Sequence, residues 1–172
     1  LNGITFYACG SATTFDHTQV HMGSDDGIEM FGGNFDAQYL VVTGAADDSM
    51  DNDQGYQGDL QYVFLHQDPA VGDNCFEISN QGTDFAAEPK TYPRYANVTC
   101  VGSGSGGEKS KGMTLKEGTN FALWSSIVTN ATNQAVAIQN DLTVAEIMEG
   151  DIARAGNLIY GNGSDNTVEC DE

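Results

Sequence analysis

The sequence predicts an all-β fold, a β-solenoid of about six coils that forms a single domain over residues 1–172. The main observation is a repeat: His17–Glu29 aligns with Tyr39–Asp51 at an offset of 22 residues. A fixed period of this size is typical of a solenoid, in which each coil buries its apolar face only by stacking on its neighbours. The repeat therefore predicts the architecture before any single element is assigned.

Short strands are predicted to build each coil. Apolar residues alternate with the strand period of two at Ile28 and Met30 and again at Leu40 and Val42. The same pattern predicts coil-opening strands in residues 27–33, 49–55, 75–81 and 112–118. Second strands are expected in residues 38–42, 61–65, 95–99 and 123–128, and the stack is expected to close with 135–139 and 157–160.

Two insertions are expected to interrupt the stack, around residues 67–94 and 102–111. All three prolines fall in the first range, and the second begins with a Gly/Ser tract. Thr143–Glu146 fits a capping box ahead of an apolar pair, which predicts one short helix.

The charge distribution excludes several classes of partner. The chain has 25 acidic residues and 6 basic ones, and no Lys or Arg precedes Lys90. Nucleic acids and anionic membrane surfaces both need clustered cations, so neither is an expected partner. The sequence has no apolar run long enough to insert into a membrane.

The four cysteines have no Cys-x-x-Cys spacing, and an even count in an acidic chain fits an oxidising exterior. A Cys75–Cys100 bridge is expected across the first insertion, with four reduced thiols as the alternative. Cys9 and Cys170 are expected near opposite ends of the stack, too far apart to pair within one chain. They suggest an intersubunit bridge and end-to-end assembly, unless each is bridged locally or free.

Acidic residues concentrate on one side of the first coils. Strands stacked about 4.8 Å apart would bring the carboxylates of the repeat nearly into contact. Calcium, which binds six to eight oxygen ligands, is one way to compensate this repulsion. The alternative is that stacked Asp side chains cap turns without a metal. The candidate calcium ligands are Asp25, Asp26, Asp47, Asp48, Asp51 and Asp53.

The residues Gln19–Gly33, continued by Val41–Asp51 and Gln54–Gly58, resemble the core signature of a family of secreted bacterial parallel β-helix proteins. Members of that family are surface-exposed or lipid-anchored and mostly of unassigned function. The resemblance is dense over about residues 10–66. It implies a right-handed parallel β-helix and an extracellular or cell-surface location, but no activity.

The leading functional prediction is a non-enzymatic extracellular scaffold, either an adhesive module in contact with matrix or glycans or the subunit of a filament. One alternative is a carbohydrate-binding module, which would need exposed aromatics such as Tyr56, Tyr62, Tyr92 and Trp124 on one sheet. A polysaccharide-degrading enzyme is the other, since paired carboxylates can do acid and base work. A lyase would need a basic side chain near the acidic cluster, and neither Arg94 nor Arg154 lies in a repeat there. A cleft that combines carboxylates with aromatics would favour one of these alternatives.

Overall fold

The computed structural model describes residues 1–104, 110–149, 152–163 and 168–171, and its strands pair in parallel to form a β-helix. The first sheet has the order β1-β3-β5-β7-β9-β12-β15. Each strand of this sheet opens a coil, which confirms the prediction of about six coils. Its strands are β1 (Ile4–Cys9), β3 (Ile28–Gly33), β5 (Met50–Asp53), β7 (Asn74–Ser79), β9 (Lys111–Lys116), β12 (Val136–Gln139) and β15 (Val168–Asp171).

The second sheet contains the intervening strands and bends along a line parallel to the helix axis. The strands are β2 (Phe15–His21), β4 (Ala37–Thr43), β6 (Asp59–His66), β8 (Arg94–Val101), β10 (Phe121–Trp124), β11 (Ile127–Thr129), β13 (Ile152–Ala155) and β14 (Leu158–Tyr160). At the bend each coil has one residue with positive φ, and the register skips it. These bend residues include His17, Tyr39, Tyr62, Asn97 and Ser125. We call the part before the bend the near limb and the part after it the far limb.

The core lies between the sheets and follows the predicted alternation. Ile28, Met30, Leu40 and Val42 are all fully buried, which confirms the strand period. Tyr56 is also fully buried and donates its hydroxyl hydrogen to the carbonyl oxygen of Phe35 at 2.8 Å. Tyr56 therefore does not meet the requirement of the carbohydrate-binding alternative for exposed aromatics, because the turn after β5 folds inward.

A disulfide joins Cys75 to Cys100, as predicted, with a Cα–Cα distance of 6.0 Å. It links β7 to β8 across the core. The range 67–94 is not one insertion, because β7 lies inside it and the connections are residues 67–73 and 80–93. Cys9 is a free thiol on β1, whereas the side chain of Cys170 and residues 105–109 of the second insertion lie outside the described part.

Helix α1 (Asp141–Glu149) is the one helix among the described residues, and it begins before the predicted capping box. The backbone N–H of Val144 donates to the carbonyl of Asn140 at 3.1 Å, so Thr143 lies inside the first turn. Its hydroxyl instead accepts a hydrogen bond from the backbone N–H of Gly118 at 2.8 Å. In the described part of the chain no helix is long and apolar enough to cross a membrane.

Candidate metal centre on the acidic edge

Three successive turns place acidic residues just before the starts of β3, β5 and β7: Asp25, Asp26, Asp47, Asp48 and Asp73. We call these turns, together with the neighbouring carboxyl groups on the three strands, the acidic edge. The backbone N–H of Asp48 donates to Oδ1 of Asp26 at 3.1 Å, and that of Asn74 donates to Oδ1 of Asp48 at 2.8 Å. The side-chain amide of Asn74 also donates to this Oδ1, at 2.7 Å. We call Asp26, Asp48 and Asn74 the turn ladder. Each of its carboxylates caps the next coil, which is the predicted metal-free role.

A second line of carboxylates runs along the outer face of the first sheet. Glu29, Asp51 and Glu77 are direct register partners on β3, β5 and β7, and we call them the strand row. They point away from the core because they alternate with the inward Ile28, Met50 and Phe76. Stacked strands lie about 4.8 Å apart, so three carboxyl groups follow one another at this spacing.

The turns and the strand row together form three groups in which one oxygen from each residue lies within 4.8 Å of the others. The groups share members and are continuous along the edge. They are Asp25, Asp26 and Asp47; Asp26, Glu29 and Asp51; and Asp47, Asp48 and Asp73.

Asp26, Glu29 and Asp51 form the most enclosed group. Asp26 and Glu29 are each only 8% exposed, and Oδ1 of Asp51 is buried with no hydrogen-bond partner among the described residues. Burial, reinforced by the charges of Glu77 and Asp48, raises the pKa of Asp51 to about 10. Burial and the charge of Asp26 raise the pKa of Glu29 to about 7, although hydrogen bonds to Asp51 and Asn2 oppose this shift. A hydrogen bond between two carboxyl groups requires a proton on one of them.

The carboxyl groups of the turns also have raised pKa values. Burial raises the pKa of Asp26 to about 6 against the opposing hydrogen bond from the backbone of Asp48. Burial and the charge of Glu77 hold the pKa of Asp48 well above its usual value, and burial and Asp73 raise that of Asp47. Without a cation, the folded chain therefore holds protons on this edge at pH values where an unfolded Asp is ionised.

The predicted ligands and the observed groups overlap but are not identical. Asp53 lies outside the three groups, where its Oδ1 accepts a hydrogen bond from the backbone of Gln54 at 2.6 Å. Glu29 and Asp73 lie inside them but were not among the predicted ligands. Both could have been found: Glu29 aligns with Asp51 in the repeat, and Asp73 precedes its strand as Asp25 and Asp47 precede theirs.

A hard cation would suit this edge. Calcium is coordinated by carboxylate oxygens, often two from one residue. In the turn ladder Asp48 already uses Oδ1 for two hydrogen bonds, whereas Oδ1 of Asp51 makes none with the described residues. The Asp26, Glu29 and Asp51 group thus offers several oxygens, one of them buried without a partner.

In the described part of the chain, lysines pair with the acidic edge only at its far end, at Glu77 and Asp73. Lys116 lies 2.8 Å from Oε2 of Glu77, and Lys111 lies 3.9 Å from Oδ1 of Asp73. Burial is the largest influence on the pKa of Lys116 and lowers it, but the hydrogen bond to Glu77 and the charges of Glu77, Glu117 and Asp51 together outweigh burial and raise the pKa. Lys116 is therefore protonated at neutral pH.

Comparison with known proteins identifies the family. The family model described as a pectate-lyase like beta helix domain matches residues 1–168, so the chain belongs to that family. The comparisons with curated proteins and with solved structures gave no match.

Proposed function

We propose that this member of the pectate-lyase-like β-helix family is a non-enzymatic extracellular scaffold whose acidic edge is stabilised by calcium. The main support for a calcium site is the buried Oδ1 of Asp51, which has no hydrogen-bond partner among the described residues and lies beside the carboxyl groups of Asp26 and Glu29. A divalent cation there would replace the protons that these groups otherwise retain. Asp25, Asp47 and Asp48 would add charge around the ion, and Asp53 would contribute least.

Calcium binding is tested by thermal unfolding at pH 7.5 with excess calcium and with excess chelator. Binding to the folded state alone adds about 2.7 kcal/mol when free calcium is 100 times its dissociation constant. For a chain of this length each kcal/mol raises Tm by roughly 2–4 °C. Asp84→Asn, which changes an exposed carboxylate in the 80–93 connection, is the control and should respond like the wild type. Coincident curves with calcium and chelator would refute the calcium site.

The non-enzymatic role is supported by the surroundings of the acidic edge. Asp26 and Glu29 are too enclosed to reach a polymeric substrate, and Lys116 is held as a cation by Glu77. Arg94 lies on the second sheet, paired with Asp59. We expect no release of reducing ends or unsaturated products from polygalacturonate or neutral polysaccharides. Turnover that disappeared in Asp51→Asn would show the opposite.

An extracellular location is supported by the Cys75–Cys100 bridge, because disulfides persist in oxidising compartments. Assembly into filaments is part of the same proposal. β1 and β15 lie at opposite ends of the first sheet, and Cys9 on β1 is free and partly exposed. Open sheet edges pair readily with another chain. A single monomer band in non-reducing electrophoresis would exclude linkage through Cys9 and Cys170, and isolated particles in electron micrographs would exclude a filament.

A further inference from the structure

The outer face of the far limb carries no Asp, Glu, Lys or Arg among the described residues. Its outward positions form two rows along the helix axis, and in each row every residue is the register partner of the next. We call these two rows the far face. The first row is Gln19, Val41, Phe64, Thr99, Ile127 and Leu158, and the second is His21, Thr43, His66, Val101, Thr129 and Tyr160. The other outer faces are charged, as at Asp51 on the first sheet and Asp16 on the near limb.

Exposed apolar side chains are concentrated on the far face and at its borders. Seven of the eleven large hydrophobic residues that are exposed in the described part of the chain lie there. They are Met22, Tyr39, Tyr62, Phe64, Ile127, Leu158 and Tyr160. Leu158 is 54% exposed and Phe64 is 41% exposed. An apolar patch that continues over several coils marks an interaction surface.

The far face is large enough for a weak specific interface. Six strands at about 4.8 Å and about five residue positions at 3.3 Å give a footprint of roughly 29 by 17 Å, or about 490 Å². Two copies of the face would together bury about 1,000 Å², which is near the lower limit for a specific protein–protein interface. A complex held by this face should therefore dissociate in the micromolar range.

The order of side chains along the first row fits a second copy of the same face. A two-fold axis that lies along the strand direction, between β6 and β8, reverses the order of the coils and places each row against itself. The ring of Phe64 then lies opposite the smaller Thr99, and Val41 lies opposite Ile127. A large side chain thus meets a small one, which allows the two faces to approach closely.

The charge distribution permits the same arrangement. The formal net charge of the chain is −19, so two copies repel each other over most of their surface. Next to the far face, the turns after β2 and β4 carry Asp25 and Asp47. In the reversed arrangement these turns lie beside residues 161–163 and 130–135 of the other copy, which contain no carboxylate side chain. Acidic turns therefore avoid each other while the apolar rows make contact.

We infer that two copies of this chain associate side by side and antiparallel through the far face. The face has no charge that would select a basic or an acidic partner, and the chain itself supplies a matching surface. This inference goes beyond the proposed scaffold role. It is also separate from end-to-end growth, which would use β1 and β15 at the two ends of the first sheet.

Sedimentation velocity from low to high micromolar protein tests this inference. The parent protein for the test carries Cys9→Ser and Cys170→Ser, which prevent disulfide linkage between chains, and chelator is present so that calcium makes no contribution. The parent should change from monomer to dimer as its concentration rises. Loss of the calcium response or of covalent linkage would leave this dimer intact, so its failure and that of the proposed function are distinguishable.

Charged variants locate the interface. Phe64→Asp and Leu158→Asp each place a carboxylate on the far face and should raise the dissociation constant of the dimer by at least about tenfold. Tyr7→Asp places the same charge at an exposed position of the first sheet and should dimerise like the parent. Circular dichroism shows whether each variant is folded. Since Leu158 is more exposed than Phe64, its variant remains informative if Phe64→Asp fails to fold.

A mixture of two variants tests the antiparallel arrangement. Because Phe64 of one copy faces Thr99 of the other, fluorescently labelled Phe64→Asp should bind Thr99→Lys about as tightly as the parent binds itself. The second Phe64 and Thr99 pair is unchanged in this complex. Labelled Phe64→Asp should bind Gln38→Lys less tightly, because that lysine lies on the near limb.

Three outcomes would overturn the inference. They are a monomer at every concentration, a dimer whose dissociation constant is unchanged in folded Phe64→Asp and Leu158→Asp, and equal binding of labelled Phe64→Asp to Thr99→Lys and Gln38→Lys. Flotation of a monomer with neutral phosphatidylcholine vesicles, if lost in Leu158→Asp, would instead identify the far face as a lipid-binding surface.

Discussion

Two parts of the first sheet stack equivalent positions with different chemistry; we call β3, β5 and β7 the acidic end and β9 and β12 the neutral end. In the coils of β3, β5 and β7 the outer position holds Glu29, Asp51 and Glu77, whereas the next two coils hold Thr114 and Ala137. Neutral side chains stack at this spacing without further compensation. Stacked carboxyl groups favour binding of a proton or a cation, and among the described residues lysines reach only Glu77 and Asp73 on the acidic side. At the acidic positions the cost of stacking appears as raised pKa values, of about 10 for Asp51 and about 7 for Glu29.

The largest effect expected from this difference is on the pH dependence of the calcium-free protein. The pKa values of Asp51 (about 10), Glu29 (about 7) and Asp26 (about 6) are all raised in the folded state. The folded chain thus binds more protons than the unfolded chain above about pH 4, so stability falls as pH rises. If the folded chain holds one proton that the unfolded chain lacks, the free energy of unfolding falls by about 4 kcal/mol between pH 5 and pH 8. Urea unfolding at both pH values with chelator present measures the loss.

Calcium should reverse this trend, because a bound cation favours the ionised carboxylates. With saturating calcium we expect the free energy of unfolding at pH 8 to match or exceed that at pH 5. A calcium-free protein that is more stable at pH 8 than at pH 5 would contradict the assignment of protons to the acidic edge.

The disulfide lies in the coil where the acidic end meets the neutral end. Replacing both cysteines, Cys75→Ala with Cys100→Ala, should cost about 3 kcal/mol, because the bridge closes a loop across a sequence separation of 25. Urea unfolding under non-reducing conditions measures this loss. If the two ends are independent, the calcium response of the double variant remains that of the wild type. A lost calcium response in a folded double variant would show that the two ends act as one unit.

Replacing one carboxyl group of the acidic edge should change the free energy of unfolding by a smaller amount, and in the calcium-free protein it should increase it. Without calcium at pH 8, Asp51 must take up a proton on folding, because its pKa in the folded chain is about 10. Asp51→Asn needs no proton, so the variant should be more stable than the wild type by roughly 1–2 kcal/mol. With calcium it should be less stable than the wild type, because a ligand is lost. Asp84→Asn again serves as the control, and a variant that is destabilised by the same amount in both conditions would point to a packing role for Asp51.

The sequence predicts the repeat better than it predicts the environment of its side chains. The 22-residue offset gives the pairing of Ile28 with Met50 and of Glu29 with Asp51, because stacking preserves the order of residues. Asp73 was missed since the period changes before β7. The sequence does not reveal the bend in the second sheet either. The bend places non-glycine residues such as Tyr39 and Tyr62 at positive φ, a backbone conformation that is rare for them, and the rings of these two residues stack on each other.

The register across the second sheet was beyond sequence analysis for a related reason. Trp124 and Gln38 are distant in sequence, and only the register from β4 through β6 and β8 to β10 places them on one face. Tyr56 shows the opposite case, an aromatic in a glycine-rich turn that turns into the core to reach the Phe35 carbonyl. Local composition does not distinguish an inward turn from an outward one.

Calorimetric titration of calcium into chelator-treated protein at pH 7.5 measures directly whether the acidic edge binds calcium. We expect saturable binding for the wild type, release of protons in proportion to the carboxyl groups that ionise, and clearly weaker binding for Asp51→Asn than for Asp84→Asn. A titration with no heat above dilution in buffers of different ionisation enthalpy would contradict calcium binding at the acidic edge, as would equal affinities for the two variants.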